Sequence, residues 1–237
     1  MLNNKSLFRI WPVILVGIVL SYYLLDRPLC EFFELHPLRE GLIVLLHGWF
    51  PWIRDAANGK MSGWGLLVHW TEVMGWLSPF LLLAGCWMAP GKRRDLILLM
   101  SMSLLTTLVL KNDLKDIFGR DWPISWGGNH VSWINNHAYG FHFFQSGLFT
   151  SSDTQGSFPS GHAALAFATL LPIGLIFPKV ISWSLLAAAG EGMLLVFMNY
   201  HFLSDVLAGA LLGIFCTFVV SSLFKLPSNL RSEGAID

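Results

Sequence analysis

An all-α protein built from membrane-spanning helices is the fold class this sequence predicts, and three observations predict it. More than half of the 237 residues (54%) are hydrophobic and only 13% are charged, about half the charge of a typical soluble domain. The mean hydropathy is +0.57. Apolar runs close to the roughly 20 residues needed to cross about 30 Å of hydrocarbon recur along the chain.

The first run, Ile10–Leu25, comes after Lys5 and Arg9 and lacks a small-residue cleavage site, so an uncleaved anchor is expected there. The stretch Leu38–Ile53 is short and broken by Gly48 and Pro51, which suits an interfacial or re-entrant helix better than a span. Trp64–Met88, Leu96–Leu110, His162–Phe177, Val180–Tyr200 and Leu203–Phe224 bring the expected spans to six. They form one domain over residues 1–237, with a core at about 96–224. In the last run Gly209 and Gly213 make a small-x3-small pair, expected to pack helices within the fold.

The longest loop, Asp116 to Phe158, is 43 residues, far beyond a simple connector. Trp122, Trp126, Trp133, Tyr139, Phe141 and Phe143 make it too aromatic for a solvated linker. A cap at headgroup level is expected, serving either as an aromatic belt or as a surface that touches a substrate.

Charge and cysteine usage narrow the function classes. Fifteen basic and fifteen acidic residues cancel, so neither a nucleic-acid partner nor a polybasic tether is expected. Cys30, Cys86 and Cys216 lie far apart without ligand spacing, which argues against a disulfide framework and against a metal site. The compact turn "GKRR" (Gly91–Arg94) favours both termini inside, with the loops after the first, third and fifth spans outside.

That topology gathers three polar clusters on the outer side: "KDIFGRDWP" (Lys115–Pro123), "SFPSGH" (Ser157–His162) and "YHFLSD" (Tyr200–Asp205). Lys115 and Arg120 could engage a phosphate dianion, or could simply be juxtamembrane anchors. Ser160 and Gly161 open a helix whose free N–H groups and positive dipole end suit an anion, although a plain N-cap has the same pattern. His201 and Asp205 are four apart and would share a helix face if the last span began near Tyr200; Asp205 could then fix the imidazole tautomer, or could merely complement the dipole.

Together the clusters resemble the signature of the type 2 phosphatidic acid phosphatase (PAP2) superfamily: Lys-x6-Arg-Pro, Pro-Ser-Gly-His, and Ser-Arg-x5-His-x3-Asp. Pro159–His162 and the His201/Asp205 pair are complete, and the motif order matches. The resemblance implies a PAP2/haloperoxidase-like helical core and a metal-free phosphatase needing no cofactor. His201 would be the nucleophile that becomes a phosphohistidine, Asp205 its orienter, and His162 the acid and then the base. Lys115, Ser160 and Gly161 would hold the phosphate. Its partners would be the bilayer and a phosphorylated lipid, of the phosphatidic acid, phosphatidylglycerophosphate, undecaprenyl diphosphate or lipid A type. The implied location is a bacterial inner membrane with the site facing outward.

Two family positions differ. Trp122 stands where the first motif has arginine, and Leu194 and Leu195 stand where the third has Ser-Arg. Arg120 is the expected substitute in the phosphate clamp. Glu191, inside the fifth span, is a functional candidate without an obvious partner. Phosphotransfer to a second lipid, and lipid-phosphate binding without turnover, are the alternatives to hydrolysis. A bell-shaped pH profile is expected if His201 must be neutral while His162 must be charged.

Overall fold

The computed structural model describes residues 4–36, 63–124, 131–144 and 156–223. The segment Leu38–Ile53, expected to be interfacial, lies outside them. Each of the six apolar runs falls on helix. The helices are α1 (Asn4–Leu20), α2 (Asp26–Leu35), α3 (Gly63–Trp87), α4 (Lys92–Phe118), the short α5 (Trp133–Asn136), α6 (Gly161–Ile176), α7 (Ile181–Phe197) and α8 (Leu203–Leu223). Among the described residues there is no sheet, only the isolated bridges Arg120–Phe141 and Trp122–Ser132.

Four segments of the described residues are long and apolar enough to cross a membrane: Trp11–Leu35, Lys92–Phe118, Pro178–Phe197 and Leu203–Leu223. The protein is apolar where it meets its surroundings: Val16, Val19, Trp76, Phe80, Leu83 and Leu186 are all exposed. Water would penalise such faces, whereas hydrocarbon would not.

Helix α6 is the central post. Its residues Ala163 to Ala168 are buried on every side, as expected for a helix apolar all round, and it packs against α3, α4, α7 and α8. Small residues make the closest contact. A Cβ on Gly209 or Gly213 would collide with the carbonyl oxygen of Ser160 or Ala164, so α6 and α8 meet backbone to backbone, as the small-residue pair predicts.

Two elements differ from the sequence expectation. Helix α4 runs eight residues past the expected end at Leu110, to Phe118, because Lys111 and Lys115 break the hydropathy signal but are buried in the bundle. Gly119 stops it in the left-handed region (φ 52°), returning its N–H to Lys115 O at 2.9 Å. The first run extends to Leu35 and contains a π turn at Ser21–Leu25. The inserted residue rotates α2 by about 100° about the helix axis and leaves Ser21, Asp26 and Cys30 facing the interior. Helix α8 begins at Leu203, where its apolar run begins and not near Tyr200, so His201 sits in the preceding turn rather than on the same helix face as Asp205.

Candidate active site

The three polar clusters converge at one end of the bundle, and local rules explain how each is held. Helix α7 ends in a turn with Asn199 at φ 53°, a conformation asparagine tolerates better than most residues. Tyr200 N–H and His201 N–H both return to Leu195 O. At the start of α8, Asp205 Oδ2 accepts from the N–H of Phe202 at 3.1 Å, half of a capping box. That oxygen also lies 3.5 Å from His201 Nδ1, a nitrogen that makes no hydrogen bond of normal geometry among the described residues. The helix difference notwithstanding, the imidazole and the carboxylate meet.

Ser160 caps α6, its Oγ accepting from Ala163 N–H at 3.4 Å. Its own N–H donates to Asp205 O at 2.9 Å. The cap of the helix that carries His162 is therefore tied to the first turn of α8, which His201 precedes. The rings of His162 and His201 come to 6.3 Å between centroids. Lys115 donates to Gly156 O at 2.9 Å and holds its ammonium 5.0 Å from the Trp122 ring centroid. Trp122 in turn lies 5.2 Å from the His201 ring. His162, His201, Asp205, Lys115, Ser160 and Gly161 thus share one end of the bundle.

Arg120 is placed differently from the clamp role expected for it. One guanidinium nitrogen donates to Asp205 and to Ser204 Oγ (2.6 Å), the other to Asp26 at 2.8 Å. Its side chain is fully buried. The rings of Tyr22, Tyr139, Phe141 and Phe202 surround it at 4.5–5.2 Å, a cation–π cage. Burial opposes its charge, but Asp205 and Asp26 outweigh that and raise its pKa. Engaged in this way, Arg120 orients Asp205 rather than reaching into the space between the histidines.

The long loop supplies two walls of that cage, since Tyr139 stacks on Tyr22 at 4.9 Å and Phe141 packs against Phe158 at 5.4 Å. An ion-pair contact between His142 and Asp121 at 2.9 Å fastens it to the first cluster. Phe143 and Phe144 remain exposed. Glu191 finds its partner in Trp70, whose indole N–H donates to it at 3.2 Å; it does not join the histidines.

Three further charged residues belong to the centre and were not singled out by sequence. Asp26 accepts from Arg120, from both the N–H (3.0 Å) and hydroxyl of Ser204, and from Tyr139 OH at 3.2 Å. A carboxylate within the first apolar segment was its one signal. Glu72 on α3 brings Oε1 to 3.6 Å from His162 Nε2. Lys111 lies one turn before Lys115 and is equally buried. For electrostatics outside the spans, the clearest effect is on His201: burial pulls its pKa below the ordinary value of about 6.5, the Asp205 hydrogen bond opposes this, and Lys115 adds to it.

A helical membrane protein with two histidines, each facing a carboxylate at one end of its bundle, is the class these features define. The PAP2 superfamily model matches residues 96–227, more than half of the chain, and the chain belongs to that superfamily. Among curated relatives, it is 28% identical over 116 residues to a lipid A 1-phosphatase of Rhizobium johnstonii, covering 49% of this chain and 43% of that one. It is 29% identical over 136 residues to a PA-phosphatase related-family protein of Dictyostelium discoideum, covering 55% and 24%. The chain therefore spans less than half the length of either relative. No solved structure matches it.

Proposed function

We propose that this protein is a membrane phosphatase that hydrolyses the phosphate monoester or diphosphate of a lipid, releasing phosphate through a phosphohistidine on His201. The observation that carries this reading is the pairing of His201 with Asp205 at 3.5 Å beside His162. Asp205 faces Nδ1, so the proton resides there and Nε2 keeps its lone pair for attack. In the first step Nε2 bonds to phosphorus, the bond from phosphorus to the lipid oxygen breaks, and His162 gives that oxygen its proton. In the second, His162 takes a proton from water, the water oxygen bonds to phosphorus, the P–N bond breaks, and inorganic phosphate leaves. Lys115, the Ser160 hydroxyl and the amide of Gly161 offset the charge on the equatorial oxygens.

Membership of the family and similarity to a lipid A 1-phosphatase support a lipid substrate. An outward-facing site is supported by the length of α4, which sets Lys115 about 35 Å of rise from Lys92. With the basic turn inside, the site lies outside, which in a bacterium is the periplasmic face of the inner membrane.

The test is phosphate release by the purified full chain from a panel of phosphatidic acid, phosphatidylglycerophosphate, undecaprenyl diphosphate and lipid A. Release from at least one, abolished in His201→Ala, is expected. No release from any of them, or release unaffected by His201→Ala, overturns the reading. Label passing from donor to an added acceptor lipid instead of to water would make the enzyme a phosphotransferase.

A further inference from the structure

The missing guanidiniums pose a charge problem. Trp122 stacks near His201 where the family motif has an arginine, and Leu195 is packed into an apolar cluster with Ala163, Val196, Met198 and Val206. Arg120 is held by Asp26 and Asp205. Among the described residues the motifs then leave Lys115 to face a phosphoryl group that carries two negative charges.

We propose that Lys111 is a second cationic ligand of the phosphoryl oxygens, acting with Lys115 across the first turn of α6. Residues four apart on a helix share a face, so Lys111 points with Lys115 toward the bundle interior. Its exposure is 8% and that of Lys115 is 7%. Lys111 Nζ donates to Asn112 Oδ1 at 3.0 Å, but an ammonium carries three donors.

The path of its side chain is the decisive feature. A Cβ built on Gly161 would stand 3.1 Å from Lys111 Cδ and 3.3 Å from Nζ. The ammonium therefore lies against the backbone that opens α6, where the positive end of the helix dipole favours an anion. Gly161 lacks the side chain that would push it away. Two buried ammoniums one turn apart repel each other, and an anion between them and the helix end relieves that repulsion. Lys111 is a part of this site that the family motif does not contain.

This inference rests on the phosphatase reading, and a binding measurement separates the two. For the full-length protein in detergent, affinity for inorganic phosphate is read from the phosphate-dependent rise in melting temperature, and kcat/KM from lipid phosphate release. Lys111→Gln should weaken phosphate affinity by about 10-fold, in line with one lost charge-assisted contact, and lower kcat/KM by roughly 10²-fold. Lys111→Arg should recover part of both. Glu72→Gln tests the carboxylate whose charge Lys111 feels: if it reproduces the affinity loss of Lys111→Gln, Lys111 acts through Glu72 and the proposal falls. Phosphate affinity within twofold of wild type in a folded Lys111→Gln protein also overturns it. Should Lys111→Gln fail to fold, Lys111→Arg decides, since affinity below about one fifth of wild type without partial activity would contradict a charge-bearing role. A Lys111-dependent phosphate site with no turnover on any lipid upholds this inference and overturns the hydrolysis reading.

Discussion

His201 and His162 sit in contrasting surroundings although their rings are 6.3 Å apart. His201 is 2% exposed and its carboxylate, Asp205, is completely buried, held by Arg120 and by the N–H of Phe202. His162 is also buried, but its carboxylate, Glu72, has a side chain 41% exposed and comes from α3, a different helix. One pair is anchored from behind by a chain of charges; the other opens to the surroundings. A nucleophile gains from fixed orientation, whereas a group that passes protons to a leaving oxygen and then accepts them from water needs access.

Removing the proposed nucleophile should have the largest effect: His201→Ala is expected to lose at least about 10⁴-fold in kcat, on the scale of other lost nucleophiles. His162→Ala should lose about 10²–10⁴-fold on lipids, yet much less on p-nitrophenyl phosphate, whose leaving group departs without a proton. Comparing the two substrates separates the roles, and equal losses on both would count against His162 as the acid.

Breaking the anchoring behind His201 comes next. Arg120→Ala leaves two buried carboxylates uncompensated, and the loss of a buried ion-pair partner costs about 3–5 kcal/mol, to be read from chemical or thermal unfolding in detergent. Asp26→Asn should lose less, because its amide can still accept a hydrogen bond from Arg120. Stability unchanged in Arg120→Ala would show that the cage carries no weight.

The pH profile sharpens the contrast without disabling the protein. Burial lowers the pKa of His201, so the neutral nucleophile persists into mild acid and the acid limb of kcat/KM should lie below about 6.5. Asp205 opposes that shift, so Asp205→Asn should move the limb further down, while Trp122→Ala, by admitting water, should move it up. A limb that stays fixed in both variants would detach the profile from His201. The smallest effect is expected at Glu72: exposed pairs are worth up to about 1 kcal/mol, so Glu72→Gln should cost no more than about fivefold in kcat.

Legibility in the sequence depends on how far apart the interacting residues lie. Ser160, Gly161 and His162 are neighbours in sequence, and His201 and Asp205 are four apart, so short-range spacing is enough to mark them. The convergence of the three clusters comes from alternating the spans across a membrane. The role of Arg120 is not legible, because its counter-ion Asp26 lies 94 residues away and a lone arginine beside a phosphate motif looks like a clamp. Lys111 and Glu72 belong to no motif: Glu72 is a lone carboxylate in an apolar run, Lys111 opens the polar stretch before Lys115, and only packing shows what each faces. Hydropathy misplaces the end of α4 for a related reason, since it counts a buried lysine as it would a solvated one. The π turn leaves no mark on the apolar run, yet it decides which face Asp26 occupies.

That carboxylate has a consequence for inheritance and engineering. Residues 96–227 carry the family match, but the charge balance behind His201 closes only when Asp26 arrives from outside them. The amino-terminal anchor is therefore not an interchangeable leash. Exchanging it for another hydrophobic helix, or trimming the chain to its matched portion, would strand a guanidinium between one carboxylate and a set of aromatic rings, so anchor and core must travel together as one heritable unit.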